Sequence, residues 1–228
     1  MSFRLSYRAD PGNPWFSWQY VRDNSDTILA AVREHASLTV RAVLIAALVA
    51  VPLAVAAYWF RSLAGPVVAV TGVLYTVPSL ALFAFIAPYL GIGAVTALSV
   101  VVLYALLVIV RNALAGLNQV PPEVREAAEG MGYGRWGRLF RVELPLALPG
   151  ILTGLRLATV STVALVTVGV VIGRGGLGQL IFAGFQNNFY KAQIMTGTLL
   201  CVLLALVLDL ILAGVGRLLT PWLRSRAA

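Results

Sequence analysis

Between Arg61 and Arg111 the chain carries no charged residue at all. Wound as a helix at about 1.5 Å per residue, that stretch would reach about 70 Å, more than twice the roughly 30 Å of a bilayer's hydrocarbon core. It therefore has to cross a membrane twice and turn in between, and Pro88, Gly91 and Gly93 mark the turn. The crossings are predicted at about 66–88 and 92–110. An uncharged run at 42–60 comes before them, and two apolar runs with isolated charges, at about 149–172 (Arg156) and 196–219 (Asp209, Arg217), follow a polar interruption. Five crossings place the two ends of the chain on opposite sides. Composition agrees: 60% of residues are hydrophobic, 11% are charged and the mean hydropathy is +0.88, whereas a soluble domain is nearer half apolar and a quarter charged. The fold class is an all-α integral membrane protein. The first thirty or so residues are polar and aromatic, unlike the basic stub and apolar core of a secretory leader, so the first span is expected to act as its own targeting signal.

The interruption, residues 111–147, is the informative part. It holds Arg111, Arg125, Arg135, Arg138 and Arg141 beside Glu123, Glu126, Glu129 and Glu143. Pro121-Pro122 suits a first helical turn, and Glu123 and Glu126 complement the positive end of the helix dipole. A short helix is predicted over about 122–131, ended by Gly132 and Gly134. A second is predicted over about 133–143, stopped by Pro145. The product is a helix-turn-helix knob at the membrane surface. Ala127 and Ala128 let a partner approach closely while Glu126 offers charge. Helix pattern alone reads equally as an ordinary amphipathic loop lying on the surface.

Several function classes drop out. The net charge of +8 comes from arginines clustered at span ends, as the positive-inside rule expects, and not from a nucleic-acid surface. Cys201 is the only cysteine, which leaves neither a disulfide framework nor a thiolate metal site. No G-x-x-x-x-G-K-[ST] string occurs. Gly173-Arg174-Gly175-Gly176-Leu177-Gly178 spells a dinucleotide fingerprint but follows a membrane span and not a strand, so a bend at the outer mouth of the bundle is expected. His35, the only histidine, has no triad and is expected near the outer interface, in solvent. The acids lie in loops except Asp209, which leaves no constellation for an enzyme.

With the polar loop in the cytoplasm, Arg61, Arg217, Arg224 and Arg226 share its side. The N-terminal segment, 1–37, then lies outside, although it carries Arg4, Arg8, Arg22 and Arg33 against Asp10, Asp23, Asp26 and Glu34. Residues 17–37 are too charged to span. Trp15, Phe16, Trp18 and Tyr20 read as an interfacial anchor or as stray aromatics of a polar tail. The membrane domain is placed at 38–223, with a short tail at 224–228.

Asp209 sits among leucines in the last span, where an unpaired carboxylate is expensive. Arg156, at similar depth in the fourth span, is its expected partner, with a proton relay as the alternative. Tyr75-Thr76-Val77-Pro78-Ser79 breaks the second span near its middle and frees backbone groups that need partners. Such a break lines a pathway or is a packing kink. Gly175, Gly176 and Gly178, with Gln186-Asn187-Asn188, are candidates for an outer gate and a receptor-docking surface.

The loop's string, Glu126-Ala127-Ala128, three residues, Gly132, nine residues, Val142, one residue, Leu144-Pro145, resembles the EAA loop of membrane subunits of binding-protein-dependent ABC importers. Val142 stands where that family's pattern has isoleucine. The segment 74–83, the Gly91-Ile92-Gly93 turn and the segment 175–182 are similar to the osmoprotectant branch, which takes up glycine betaine, choline, carnitine or proline-type solutes; branches for methionine and other small solutes share much of the architecture. The resemblance covers about 38–223.

That resemblance implies a type I (MetI-like) permease with a cytoplasmic coupling helix. Its partners would be two ATP-binding subunits, a second permease subunit, identical or paralogous, and an extracytoplasmic solute-binding protein. With the chain ending at Ala228, that receptor is expected as a separate polypeptide. ATP and Mg would be bound by the ATPase and no cofactor by this chain. Glu126, Ala127, Ala128, Gly132, Leu144 and Pro145 would couple it to the ATPase. A secondary transporter, the competing class, would show internal repeats and charges along a midplane site, and only Asp209 lies well inside a span.

Overall fold

The structure, a computed structural model, describes residues 12–222, and among them all regular structure is helical. Arg4, Arg8, Asp10, Arg224, Arg226 and the 224–228 tail lie outside the described residues. A short α1 (Trp18–Asp23) precedes α2 (Ser25–Trp59), and α3 (Arg61–Thr76) and α4 (Ser79–Leu90) follow. Next come α5 (Ala94–Asn118), α6 (Pro122–Gly130), α7 (Arg135–Arg138), α8 (Leu144–Val168), α9 (Leu177–Gln186) and α10 (Lys191–Leu219). Four helical stretches are long and apolar enough to cross a membrane: Ser25–Trp59, Ala94–Asn118, Arg135–Ile172 and Lys191–Leu219. The pair α3 and α4, bent by 97° at its break, makes a fifth crossing if counted as one span.

Helices α2, α5 and α8 form the centre, and α3, α4, α9 and α10 pack around it. Small side chains set the spacing. Ala42, Ala46, Ala50 and Ala54 repeat every fourth residue on α2, so they share one face, and all have no solvent exposure. Where α5 meets α8, a Cβ on Gly150 would stand 2.8 Å from the Gly116 Cα, so these backbones touch directly. Lipid is as apolar as leucine, so close van der Waals packing of this kind, and not expulsion of water, holds the bundle together.

Four expectations need correction. Of the described charged residues before Ala42, Arg22 and Asp23 sit in the short α1, while Asp26, Arg33, Glu34 and Arg41 extend the first span as one helix from Ser25. That helix, about 52 Å long at 1.5 Å per residue, stands proud of the hydrocarbon core, which is how Glu34 and Arg41 are tolerated. Pro145 does not stop a helix. Arg135–Arg138, a π turn over Leu139–Glu143 and α8 run on continuously; inside the turn Leu144 N–H donates to Leu139 O, so the ladder is already shifted by one residue when it reaches the proline. The 173–193 segment is not only a loop, because α9 packs back on α10 and α2. Finally, Tyr20 is buried at 9% exposure with its ring edge-on to Tyr190, while Trp15, Phe16 and Trp18 are exposed. Burial, and then the neighbouring Tyr190, raise the Tyr20 phenol above its ordinary pKa, so it stays neutral at physiological pH.

Candidate functional site

The knob is built by its termini. Pro122 occupies the first turn of α6, where a missing N–H is no loss. At the other end Gly132 takes φ +85°, its N–H donates to Glu129 O at 2.9 Å and the Tyr133 N–H reaches back to Ala128 O at 3.1 Å. That is a Schellman motif, and it explains a glycine four residues after the Ala-Ala pair. Glu126 and Ala127 face outward, whereas Ala128 is 1% exposed and points into the protein. Of the two alanines expected at a partner contact, only Ala127 presents itself. Leu144 and Pro145 are half-buried at the root of α8, and Leu144 packs against Ala54, Ala113 and their neighbours.

A buried polar network that sequence reading missed fixes the knob to the spans. Glu143 has no solvent exposure. Its Oε1 accepts from the Tyr58 hydroxyl at 3.1 Å and lies 3.0 Å from Arg138 Nε. Arg125 of α6 donates to the same Tyr58 oxygen at 3.2 Å, and Arg138 also pairs with Glu129. One carboxylate thus ties the end of α2 and the knob to the start of α8. The signal was a glutamate directly before the membrane-entering Leu144-Pro145, but the partner is 85 residues away.

At the other candidate site, the break in the second span opens a cleft of about 330 Å3 between α3, α4, α5 and α8. Tyr75, Thr76, Pro78 and Ser79 line it together with Tyr104, Ser161 and Thr162. The backbone freed by the break finds partners: Val77 N–H donates to Leu74 O at 3.4 Å and the Tyr104 hydroxyl donates to Val77 O. Tyr75 meets Tyr104 edge-on with ring centroids 6.0 Å apart. The arrangement is an aromatic and hydroxyl-lined recess within the span region, suited to a small polar solute with apolar surface.

Gly175, Gly176 and Gly178 do not line that cleft. They are buried where the turn before α9 presses on its neighbours: a Cβ on Gly178 would lie 2.4 Å from Thr167 O, and one on Gly176, at φ +50°, 2.7 Å from the His35 Cβ. His35 itself overturns its expectation. It has no exposure, its Nε2 lies 3.0 Å from Val163 O and its Nδ1 accepts from Leu177 N–H at 3.3 Å. With Nδ1 accepting from Leu177, Nε2 carries the proton and donates to Val163 O. The histidine pins α9 to α2 and α8. Beyond it, Gln186, Asn187 and Asn188 are exposed, and Asn187 helps to line a polar cleft of about 510 Å3 together with Ser17, Gln19, Asp23 and Gln193.

Arg156 and Asp209 stand together. Nε and Nη2 of the arginine each donate at 2.8 Å, one to each carboxylate oxygen, joining α8 to α10. The pair is partly exposed on the single chain, with 43% and 25% of the side chains accessible, beside a cleft of about 570 Å3 that reaches Arg217 and Thr220. No cluster of metal-ligating side chains occurs among the described residues.

An all-α bundle of apolar spans, broken once around a polar cleft and carrying a clamped polar knob at one end, defines a multi-pass membrane transport subunit. Residues 42–225 match the family described as the binding-protein-dependent transport system inner membrane component, and the chain belongs to that family. It is thus a multi-pass protein of the cytoplasmic membrane. The osmoprotectant import permease protein OsmW of Salmonella typhimurium is 39% identical over 207 residues, covering 89% of this chain and 96% of that one. The choline transport system permease protein OpuBB of Bacillus subtilis is 36% identical over 203 residues, covering 89% and 93%. Among solved structures, an inward-facing form of the MetNI methionine ABC transporter superposes with a TM-score of 0.78 at 23% identity, covering 90% of this chain and 100% of that chain. That last likeness is one of fold.

Proposed function

We propose that this chain is the membrane-spanning permease subunit of an ATP-driven importer for small osmoprotectants such as glycine betaine or choline. The observation that carries the proposal is the exposed Glu126-Ala127 face of α6, closed by Gly132 and clamped to α2 and α8 through Glu143. A short helix rigidly joined to two spans transmits force in a way that a loose surface loop does not. Its seat is a groove on a cytoplasmic ATPase subunit, which places the knob in the cytoplasm, and ATP and Mg belong to that partner.

Two permease subunits, identical or paralogous, pair around one path, with two ATPase subunits beneath them and a solute-binding protein docking outside near Gln186-Asn187-Asn188. Closure of the ATPases moves α6, the spans rotate, and the cleft at Tyr75, Thr76, Pro78 and Ser79 opens outward; hydrolysis reverses the change. The packed glycines 175, 176 and 178 make the outer gate a rigid body. The Arg156 and Asp209 pair keeps α8 and α10 moving together. The osmoprotectant class is supported by what the relatives at 36–39% identity are named for. Selectivity rests mainly with the receptor, where an aromatic cage suits a quaternary ammonium.

The test is uptake. In a strain without its own importers, the chain with its ATPase and receptor should accumulate labelled glycine betaine or choline, and Glu126→Ala with Gly132→Pro should abolish uptake while the protein still reaches the membrane. Uptake of methionine alone would overturn the substrate class. Uptake driven by an ion gradient without ATP would overturn the importer reading.

A further inference from the structure

Where α2 meets the root of the polar loop, the surface carries a groove to which the proposed transport cycle gives no role. Val51, Pro52, Val55 and Ala56 of α2 face Leu139 and Phe140 across a cavity of about 380 Å3 with almost no polar lining. That volume falls within the range of about 300–1,000 Å3 typical of small-molecule sites. The α2 wall belongs to the first span, so the groove lies at membrane depth, and its mouth lies where the span ends at the turn into α3.

The mouth has a different chemistry. Trp59 and Trp136 meet edge-on with centroids 4.6 Å apart, and Phe140 stacks on Trp136 at 6.0 Å. Tryptophans at this level are the usual markers of the headgroup zone. The Arg135 guanidinium lies 4.1 Å from the Trp59 ring centroid and 5.3 Å from that of Phe60, and Arg61 follows Phe60 directly. Among the described residues neither Arg61 nor Arg135 forms an ion pair; the nearby carboxylates Glu129 and Glu143 are engaged by Arg138. Trp136 and Phe140 are 61% and 62% exposed, so the stacked pair awaits cover.

An apolar slot running along a span, with the Arg135 guanidinium over its mouth residues and Arg61 next in sequence to the mouth residue Phe60, both without anionic partners among the described residues, matches an amphiphile with one negative charge. We propose that the groove holds an anionic phospholipid of the loop-side leaflet, with an acyl chain along α2 and its phosphate between Arg61 and Arg135. An extended protein segment fits less well, because its backbone N–H and C=O groups laid in this groove would find almost nothing to bond. A bound lipid would bridge α2 to the helix that carries Glu143, and a ligand that binds the assembled form stabilises it. The loop's seat on the spans is then sensitive to membrane charge. This rests on the membrane placement of α2 alone, independent of the solute and of the ATPase.

The full chain is placed in phosphatidylcholine nanodiscs doped with phosphatidylglycerol, and the lipid retained on release is counted by native mass spectrometry. Phosphatidylglycerol should be retained in preference to phosphatidylcholine. Arg61→Gln with Arg135→Gln should weaken that retention by about fivefold per guanidinium removed, since each basic residue near a charged membrane surface contributes on the order of 1 kcal/mol. Ala56→Phe, which fills the slot without changing charge, should also lose the lipid, while Arg141→Gln on the same loop should leave it bound. The arginine variants are at the surface and carry the test if Ala56→Phe fails to fold. Equal retention by the double arginine variant overturns the proposal. Equal loss in Arg141→Gln overturns it as well, since the attraction would then be diffuse. Displacement of the lipid when the ATPase subunit is added would assign the groove to that protein instead.

Discussion

The hydroxyl of Tyr58 donates a 3.1 Å hydrogen bond to Oε1 of Glu143, a carboxylate with no solvent exposure, and so joins the last turn of α2 to the entry of α8. Arg138 supplies the cation beside it. A buried charge that loses its counter-ion is costly, about 3–5 kcal/mol, whereas loss of one hydrogen bond to a charged group costs about 1.5–3 kcal/mol. Arg138→Ala should therefore lower the thermal unfolding temperature in detergent more than Tyr58→Phe does. If the order is reversed, the carboxylate is not held as a buried anion.

Apolar run lengths were enough to count the crossings, because bilayer thickness imposes a length that no partner can alter. The break at Pro78 was equally local, since proline removes a donor wherever it stands. What could not be read were the contacts made by residues far apart in sequence. His35 looked solvated because it had no triad and was placed near the outer interface, yet Val163, 128 residues on, and Leu177, 142 residues on, meet its two ring nitrogens. Glu143 looked like one loop glutamate among four, and its bond to Tyr58 distinguishes it. Pro145 looked like a stop because a π turn just upstream leaves no mark in composition. The glycines before α9 read as a bend at the mouth of the bundle, while their constraint is the backbone of α8 and α2 pressed against them.

Gly132 separates a conformational demand from a steric one. Its φ of +85° disfavours a Cβ, but a Cβ there would meet nothing within 4 Å. Gly132→Ala should destabilise α6 by about 1 kcal/mol, and Gly132→Asn by less, because asparagine tolerates the left-handed region. Hydrogen exchange of the α6 amides should rise in the order wild type, Asn, Ala. An alanine variant as protected as wild type would mean that the Schellman closure contributes nothing to the knob.

Gly176 is the opposite case, with a left-handed φ of +50° and a built Cβ only 2.7 Å from that of His35. Gly176→Ala should cost more than Gly132→Ala, above about 2 kcal/mol, since strain and overpacking both act. His35→Phe keeps bulk but leaves the Leu177 N–H, an orphan donor at the start of α9, without its partner, for about 1–3 kcal/mol. Both should raise exchange in α9 and leave α6 untouched. Equal loosening at α6 would show that the outer corner and the knob unfold as one unit.

The Arg156 and Asp209 pair is bidentate, which makes its geometry as testable as its charge. Lysine is a point charge and does not reproduce a planar fork, so Arg156→Lys should recover only part of what Arg156→Leu loses. Single neutral substitutions leave one charge on a membrane-embedded face, and steady-state protein in the membrane should fall for each. The exchange Arg156→Asp with Asp209→Arg restores opposite charges at the same junction of α8 and α10, and should return a substantial part of that level. A double neutral variant, Arg156→Leu with Asp209→Leu, distinguishes assembly from transport. If the pair only glues two helices, expression and uptake both recover, because two apolar side chains satisfy the same surface. If expression recovers while uptake stays lost, the charges act in the transport cycle itself. If the exchange fails to restore the protein level and the double leucine also fails, the two residues serve separate partners and their contact is incidental.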